Sequence, residues 1–450
     1  MPFGANEILL CDKIPQNIDI KSYNRRTGHY LYIIFMKKPI FYSLPPAGKK
    51  ISLKSIAKVI LASRNYLKPA CLDQIQDFFG AKHILYLSSG RSALWLILKS
   101  LSRMRTDRRE VIIPAYTCPT VVSAVLKAGL KPILSDINLT DFGYLMDNLE
   151  AKLSKNTLAV VVVHLFGYPA NVEDIYELSK SHNVFVIEDA AQAFGNAFSD
   201  SPEKKLGLLG DAGFFSFGRG KPLSLMHGGL LATQSEEIYR EALKIFRTLN
   251  HASIFQGFRY LLLLGSYSLF SNPYLYWLPQ KMPFLHIGET IFEPDFFVSR
   301  GFDLAACMMN EMLESLEKDK EIRKENARWY TTNLSGMSGL ERPRYRAYPY
   351  LRYPFMVQDK KLRDRILEKL ISQGTGATLF YPCPLNELPR LREILKDTNI
   401  YPSAKRLSET LITLPVHAGV TPFNRQKIEA IIQSTIAAYQ ANRPTDKRIQ

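Results

Sequence analysis

The chain has few of the features that define several large protein classes. Among 450 residues there are five cysteines, Cys11, Cys71, Cys118, Cys307 and Cys383. They lie far apart, with no C-x-x-C pair and no Cys/His spacing of the zinc type. This excludes a disulfide framework and a structural metal, and reads as reduced thiols in a cytoplasmic protein. The opening "MPFGANEILLCDK" lacks a basic segment followed by an apolar core, so it does not read as a secretory signal. No apolar run is long enough to span a bilayer. In 258–285 only Leu261 to Leu264 are consecutive aliphatics, and Asn272, Pro273 and Pro279 interrupt the remainder. A spanning helix needs about 20 apolar residues. The segment is expected to pack on the protein or on a dimer surface. Its Tyr and Trp content, with Arg259 and Lys281 nearby, also suits a peripheral contact with the inner membrane face. Internal repeats and low-complexity stretches are absent too.

A long basic run is missing, although the formal net charge is +16. The surplus is spread over short clusters, "NRR" (24–26), "RMRTDRR" (103–109) and "RPTDKR" (443–448), without interleaved aromatics. Nucleic acid is therefore not the expected partner. Anionic small molecules fit better. With 46% hydrophobic and 22% charged residues the composition is that of an ordinary globular protein. The length suggests two domains of roughly 100–200 residues or more each.

Residues 1–45 show no periodicity and read as an extension. From Ile51 the pattern alternates. "ISLKSIAKVILAS" and "CLDQIQDFFG" are helical, "HILYLSS" is a strand, and "RSALWLILKSL" is a helix. The strands "EVIIP", "KPILSD", "LAVVVVHLFG" and "VFVIEDAA" come next, separated by the helices "PTVVSAVLKAG" and "NVEDIYELSKSH". Strands that are apolar throughout and separated by helices predict a doubly wound, mostly parallel sheet. "GFFSF" and "GLLAT" add two strands, and 303–334 reads as one long bridging helix. Beyond it a smaller α+β domain is expected. The predicted division is 1–45, 46–315 with a hydrophobic insertion at about 250–300, and 316–450.

Three stretches carry chemistry. In "SFGRGK", Lys221 comes after Gly220, but a P-loop would need glycine where Phe215 stands and Ser or Thr at Pro222, so that reading fails. In "VFVIEDAAQAFG" a buried strand ends at Glu188 and Asp189. These are either solvated carboxylates at a strand end, or an acid placed where open α/β sheets bind ligands. In "YLSSGRSALWLIL" a strand turns through Ser88-Ser89-Gly90 into a helix whose first amides, those of Arg91 and Ser92, favour an anion. A phosphate turn, an acid and a lysine in one α/β domain fit pyridoxal 5′-phosphate.

These stretches, with "VIIPAYTCPTVVSAVLKAGLKPILSDI", "LGLLGDAGFFSFGRGK", "GGLLAT", "FYPCPLN" and "YPSAKRLSETLITLPVH", resemble the DegT/DnrJ/EryC1/StrS aminotransferases, fold-type I enzymes of amino-sugar synthesis. The similarity runs from about residue 44 to 417. It implies an aspartate aminotransferase-like α/β fold with a smaller C-terminal α+β domain, a cytoplasmic homodimer, pyridoxal 5′-phosphate and no metal. It also implies a nucleotide-linked keto sugar as amino acceptor and an amino acid, glutamate, as donor. Lys221 then corresponds to the covalent anchor and proton carrier. Asp189 corresponds to the partner of the pyridine nitrogen, and Gln192 to the neighbour of the ring hydroxyl. Gly90, Arg91 and Ser92 correspond to the backbone phosphate cradle, and Ser216 to a further phosphate ligand unless its hydroxyl merely bonds the strand.

The chain departs from the family pattern in places. Cys118 stands where an aromatic often covers the ring, which leaves Tyr116 as the candidate. His164 fits the family pattern but equally fits a packed structural histidine. Pro222, Met226-His227 and Phe194 differ on the substrate side, and Arg300 is the residue left to stand in for a loop supplied across the dimer. These departures motivate an alternative, a non-catalytic cofactor-binding regulator or membrane-associated scaffold. Retention of Lys221, which relatives that dehydrate replace by histidine, favours the aminotransferase.

Overall fold

The computed structural model describes residues 23–24, 29–30, 42–49, 51–63, 69–198, 201–251, 254–282, 292–342 and 347–442. The expected extension over 1–45 lies almost wholly outside these residues, as do Cys11 and the basic tail.

Seven strands form the main sheet: β1 (His83–Leu87), β2 (Glu110–Pro114), β3 (Lys131–Ser135), β4 (Thr157–Val163), β5 (Phe185–Asp189), β6 (Ala212–Ser216) and β7 (Gly229–Thr233). Their order is β1-β7-β6-β5-β4-β2-β3. All neighbours are parallel except β7, which runs antiparallel to both β1 and β6. β4 is buried at every position. Alternation explains why a strand can be apolar throughout. Val160 and Val162 pack with Val172 and Ile175 of helix Val172–Ser181. Val161 and Val163 join Leu94, Ile97 and Val121 on the opposite face.

A second, antiparallel sheet contains β8 (Leu340–Glu341), β9 (Arg352–Val357) and β10 (Leu411–Pro415). Helices Lys360–Ser372 and Pro422–Ala441 accompany it. The single helix expected over 303–334 is two, Asp303–Leu313 and Leu316–Asn333. The break falls at Ser315 (φ −107°, ψ 3°). The two halves serve different cores. Met308, Met309 and Met312 pack with Ile75 and Phe79, whereas Ala327 and Tyr330 join Ile428 and Leu414. One straight helix cannot point its stripe at both.

The hydrophobic insertion forms helices Ile254–Phe270 and Pro273–Gln280. Asn272 caps the second, accepting from Tyr274 N at 3.0 Å. Tyr260, Leu264 and Ser268, spaced at i, i+4, i+8, face inward and are buried. The Ser268 hydroxyl donates to the Ile51 carbonyl at 2.6 Å. The opposite stripe, Phe255, Phe258, Leu262 and Leu269, is exposed. Among the described residues no helix is long and apolar enough to cross a membrane.

Candidate active site

β1 is antiparallel to β7, and β7 to β6, so β1 runs in the same sense as β2 to β6. The turn after β1, Asp189 at the end of β5 and Ser216 at the end of β6 therefore share one edge of the sheet. That is the edge where open α/β sheets bind ligands.

Glu188 and Asp189 point to opposite faces, and the structure separates their roles. Glu188 accepts from Gly207 N (2.8 Å), Leu209 N (2.5 Å) and Gly210 N (2.7 Å), and meets His164 Nε2 at 2.9 Å. His164 Nδ1 accepts from Ala170 N at 3.2 Å, so the proton sits on Nε2, which donates to Glu188. Both are buried structural staples, with their hydrogen-bonding capacity committed. Among the described residues Asp189 has one hydrogen-bond donor, Ala191 N, at 3.0 Å to Oδ1. Burial pushes its carboxyl above the usual value, opposed by the Lys221 ammonium, the Ala191 N–H and His164. A buried carboxylate with so little solvation suits a cationic ligand atom.

Helix Gly90–Met104 starts at this edge. Ser89 caps it, its hydroxyl accepting from Ser92 N at 3.2 Å. The Gly90 and Arg91 amides lie in the first turn, where no intrahelical acceptor exists. A Cβ on Gly90 would lie 2.7 Å from Ser216 Cβ and 3.2 Å from Ser216 Oγ. Only glycine lets this turn close on the end of β6, so the first-turn amides and the Ser216 hydroxyl share one corner. The Arg91 side chain turns away, to Glu293 (2.7 Å) and over the Phe296 ring (4.6 Å). Ser92 is buried, its hydroxyl 2.8 Å from that of Ser89.

Lys221 sits beyond Gly220, whose φ of 75° turns the chain. The Lys221 amide donates to Gly218 O at 3.4 Å and its carbonyl accepts from Ser224 Oγ at 2.9 Å. Its ammonium is close enough to Asp189 to act on that carboxyl. Gln192 Oε1 accepts from Phe166 N at 2.9 Å, bracing a left-handed residue (φ 61°). Tyr116 Oη donates to Tyr381 O (3.0 Å) and accepts from Tyr381 N (3.2 Å). Its phenol thus staples the loop around 381 over the end of β2. Sequence reasoning does not single out Tyr381, although "FYPCPLN" contains it. Burial pushes its phenol well up, and the Cys118 thiol and the Asp189 charge add to that rise. The pairing of residues 263 positions apart carries no local signal.

The other departures have structural uses. His227 stacks on Phe302 (4.0 Å, 20°) and meets Tyr260 edge-on at 5.9 Å, and burial pulls its imidazole down to about 4. Tyr260 belongs to the insertion, so "PLSLMHGG" differs where the insertion packs. Arg300 donates to the carbonyls of Phe246 (3.2 Å) and Arg247 (2.7 Å) and meets His251 at 2.7 Å. Its guanidinium closes a helix end of its own chain. Among the described residues no group of three or more His, Cys, Asp or Glu could hold a metal ion.

A lysine, a buried acid and an anion corner on the carboxyl edge of this sheet define a fold-type I transferase. The chain of the Helicobacter pylori aminotransferase PseC superposes on it with a TM-score of 0.70 at 20% identity, covering 88% of this chain and 100% of that one. The chain belongs to the DegT/DnrJ/EryC1/StrS aminotransferase family, whose sequence pattern it matches over 72–261 and 297–433. The unmatched stretch between those ranges is most of the insertion. A UDP-N-acetyl-3-dehydro-alpha-D-glucosamine 3-aminotransferase of Acidithiobacillus ferrooxidans is 26% identical over 365 residues, 81% of this chain and 87% of that protein. A dTDP-3-amino-3,6-dideoxy-alpha-D-galactopyranose transaminase of Aneurinibacillus thermoaerophilus is 25% identical over 369 residues, 80% and 86%.

Proposed function

We propose that this protein is a pyridoxal 5′-phosphate-dependent aminotransferase that moves an amino group from an amino acid, glutamate, to a keto carbon of a nucleotide-linked sugar. The observation that carries this reading is the convergence of Asp189, Lys221 and the Gly90–Ser216 corner on one sheet edge. The residues fit the cofactor: Asp189 is a buried acid lacking a counter-ion of its own strand, and the corner is an anion cradle that a Cβ on Gly90 would fill.

When bound, pyridoxal 5′-phosphate supplies an electron-accepting ring. The chain does the rest. The Gly90 and Arg91 amides and the Ser216 hydroxyl would hold its phosphate. Asp189 would sit against the ring nitrogen and favour its protonated form. Gln192 would lie beside the ring hydroxyl. Lys221 would be the residue that anchors the group and carries the proton at the substrate carbon. The names of the relatives support the acceptor class. We keep the division at residues 45 and 315 and read the assembly as a homodimer in the cytoplasm. The test is a reaction panel. L-glutamate is expected to discharge the visible cofactor band, and UDP-, dTDP- or GDP-linked keto sugars to restore it with formation of an amino sugar. A band unmoved by every amino donor would refute transamination.

The insertion supports a further contact. Its exposed stripe carries Arg259, and neither helix bears an acidic residue. This suits an anionic bilayer surface. Changing Phe255, Phe258, Leu262 and Leu269 to serine is expected to end co-sedimentation with anionic vesicles without altering oligomer size. Equal sedimentation of variant and wild type removes the idea.

A further inference from the structure

The strap 42–49 runs between the insertion and the smaller sheet. Ser43 N donates to Pro273 O and Leu44 N to Gly374 O, each at 2.9 Å. On one flank the Tyr267 hydroxyl donates to Lys49 O at 3.3 Å. A Cβ on Gly48 would lie 2.7 Å from that hydroxyl and 3.0 Å from Ser224 Oγ, the group bonded to the Lys221 carbonyl. On the other flank His417 Nε2 donates to Pro45 O at 2.8 Å. A Cβ on Gly376 would lie 2.9 Å from Leu44 O, and the Gly376 carbonyl accepts from Arg352 Nη2 at 3.1 Å. The strap thus touches the Lys221 segment through Ser224 on one side and the Gly376 segment that holds Arg352 on the other.

The charges there do not balance. Arg352 and Arg323 are each 5% exposed, and neither forms an ion pair among the described residues. Arg352 bonds only the carbonyls of Gly376 and Thr413, and its Nε has no partner. Arg323 bonds the carbonyls of Tyr350 and Leu351. The carboxylate acting on it, Asp319, is already paired with Lys49 at 2.5 Å. Burial draws Arg352 down to about 9 and Arg323 to about 10. Burial also draws His417 down to about 4, so it adds no charge at neutral pH. Two phenols of the insertion close the group. Tyr276, raised to about 12 by burial, feels Arg219 and Arg352, and Tyr267 feels Arg219 and Arg323. A buried guanidinium held only by carbonyls is costly unless an anion completes it, and its planar fork matches an oxyanion.

We infer that Arg352 and Arg323, with Arg219 and the phenols of Tyr267 and Tyr276, form an oxyanion-binding subsite beside Lys221. It takes a substrate oxyanion, either the carboxylate of the amino donor or a phosphate of the nucleotide-linked acceptor. The inference rests on Lys221 marking the reacting centre. It gives the insertion a role inside the site, since both phenols come from it.

The test uses the cofactor-loaded protein with succinate and inorganic pyrophosphate as probes. At least one probe is expected to raise the melting temperature of the wild type and to compete with one substrate. Arg352→Gln is expected to abolish that shift and to raise KM for the same substrate roughly 10- to 100-fold. The cofactor band and its reaction with hydroxylamine, which carries no anion, should not change. Competition by succinate with L-glutamate assigns the carboxylate, and competition by pyrophosphate with the sugar nucleotide assigns the phosphate. If Arg352→Gln does not fold, Tyr276→Phe with the wild-type probe titration decides, and a several-fold KM rise is expected. Failure of both probes on the wild type, or unchanged KM values in a folded Arg352→Gln, overturns the subsite. A wild type without a cofactor band would instead overturn the proposed function, while the probe titration would still report on the arginines.

Discussion

Lys221→Met is expected to abolish transamination, with a fall of at least about 10³-fold in single-turnover rate, and to remove the covalently linked visible band expected of the wild type. A positioned base alone contributes about 10²–10⁴-fold, and in the proposed function the same nitrogen is also the anchor. The fold is expected to survive. Lys221 is half-buried, and its hydrogen bonds to Gly218 and from Ser224 are made by its backbone, which the substitution leaves in place. Lys221→Arg separates the two roles. It keeps a positive charge beside Asp189 but offers no reactive amine, so it should load cofactor more tightly than Lys221→Met and remain as inactive. Retention of turnover within tenfold in either variant contradicts the assignment.

Asp189→Asn is expected to lower turnover by roughly 10²–10³-fold, the range for removing a preorganised electrostatic contact. Its stability signature is more specific. The folded carboxyl titrates above the ordinary carboxylate value, chiefly because of burial. Such a group contributes most stability below its unfolded pKa and loses it as pH rises through the raised folded value. At neutral pH, without cofactor, the charged Asp189 is therefore a cost to the fold. The cofactor-free Asn variant should melt above wild type at pH 7, and the gap should close on acidification. Loading reverses the order. A protonated ring nitrogen compensates the wild-type carboxylate and not the amide, so the cofactor should raise the melting temperature more in wild type. Equal cofactor-induced shifts in the two proteins would rule out the pairing.

Much of this site is readable along the chain because each group sits where a local pattern changes. Asp189 ends an apolar strand, Gly90 opens a helix after another, and Lys221 follows Gly218 and Gly220 after a third. Apolar runs and helical spacing are short-range signals. They marked the strands and most of the helices, and the insertion at about 250–300 brackets the unmatched stretch 262–296. Pairings across hundreds of positions left no such trace. Glu188 and Asp189 are adjacent and chemically alike, yet strand alternation sends one to three backbone amides and the other to the ligand edge. Ser315 breaks a helix because two cores need differently aimed stripes. Arg352 lies 131 positions beyond Lys221, and the 42–49 strap touches the segments that carry both only after packing.

By itself, then, the sequence determined the alternating α/β plan, the family and the three chemical groups of the candidate site, since each is written in contiguous residues. The tertiary structure alone decided which carboxylate is free, which histidines are neutral and what surrounds the lysine. Those properties depend on burial and on neighbours that meet only once distant segments have packed.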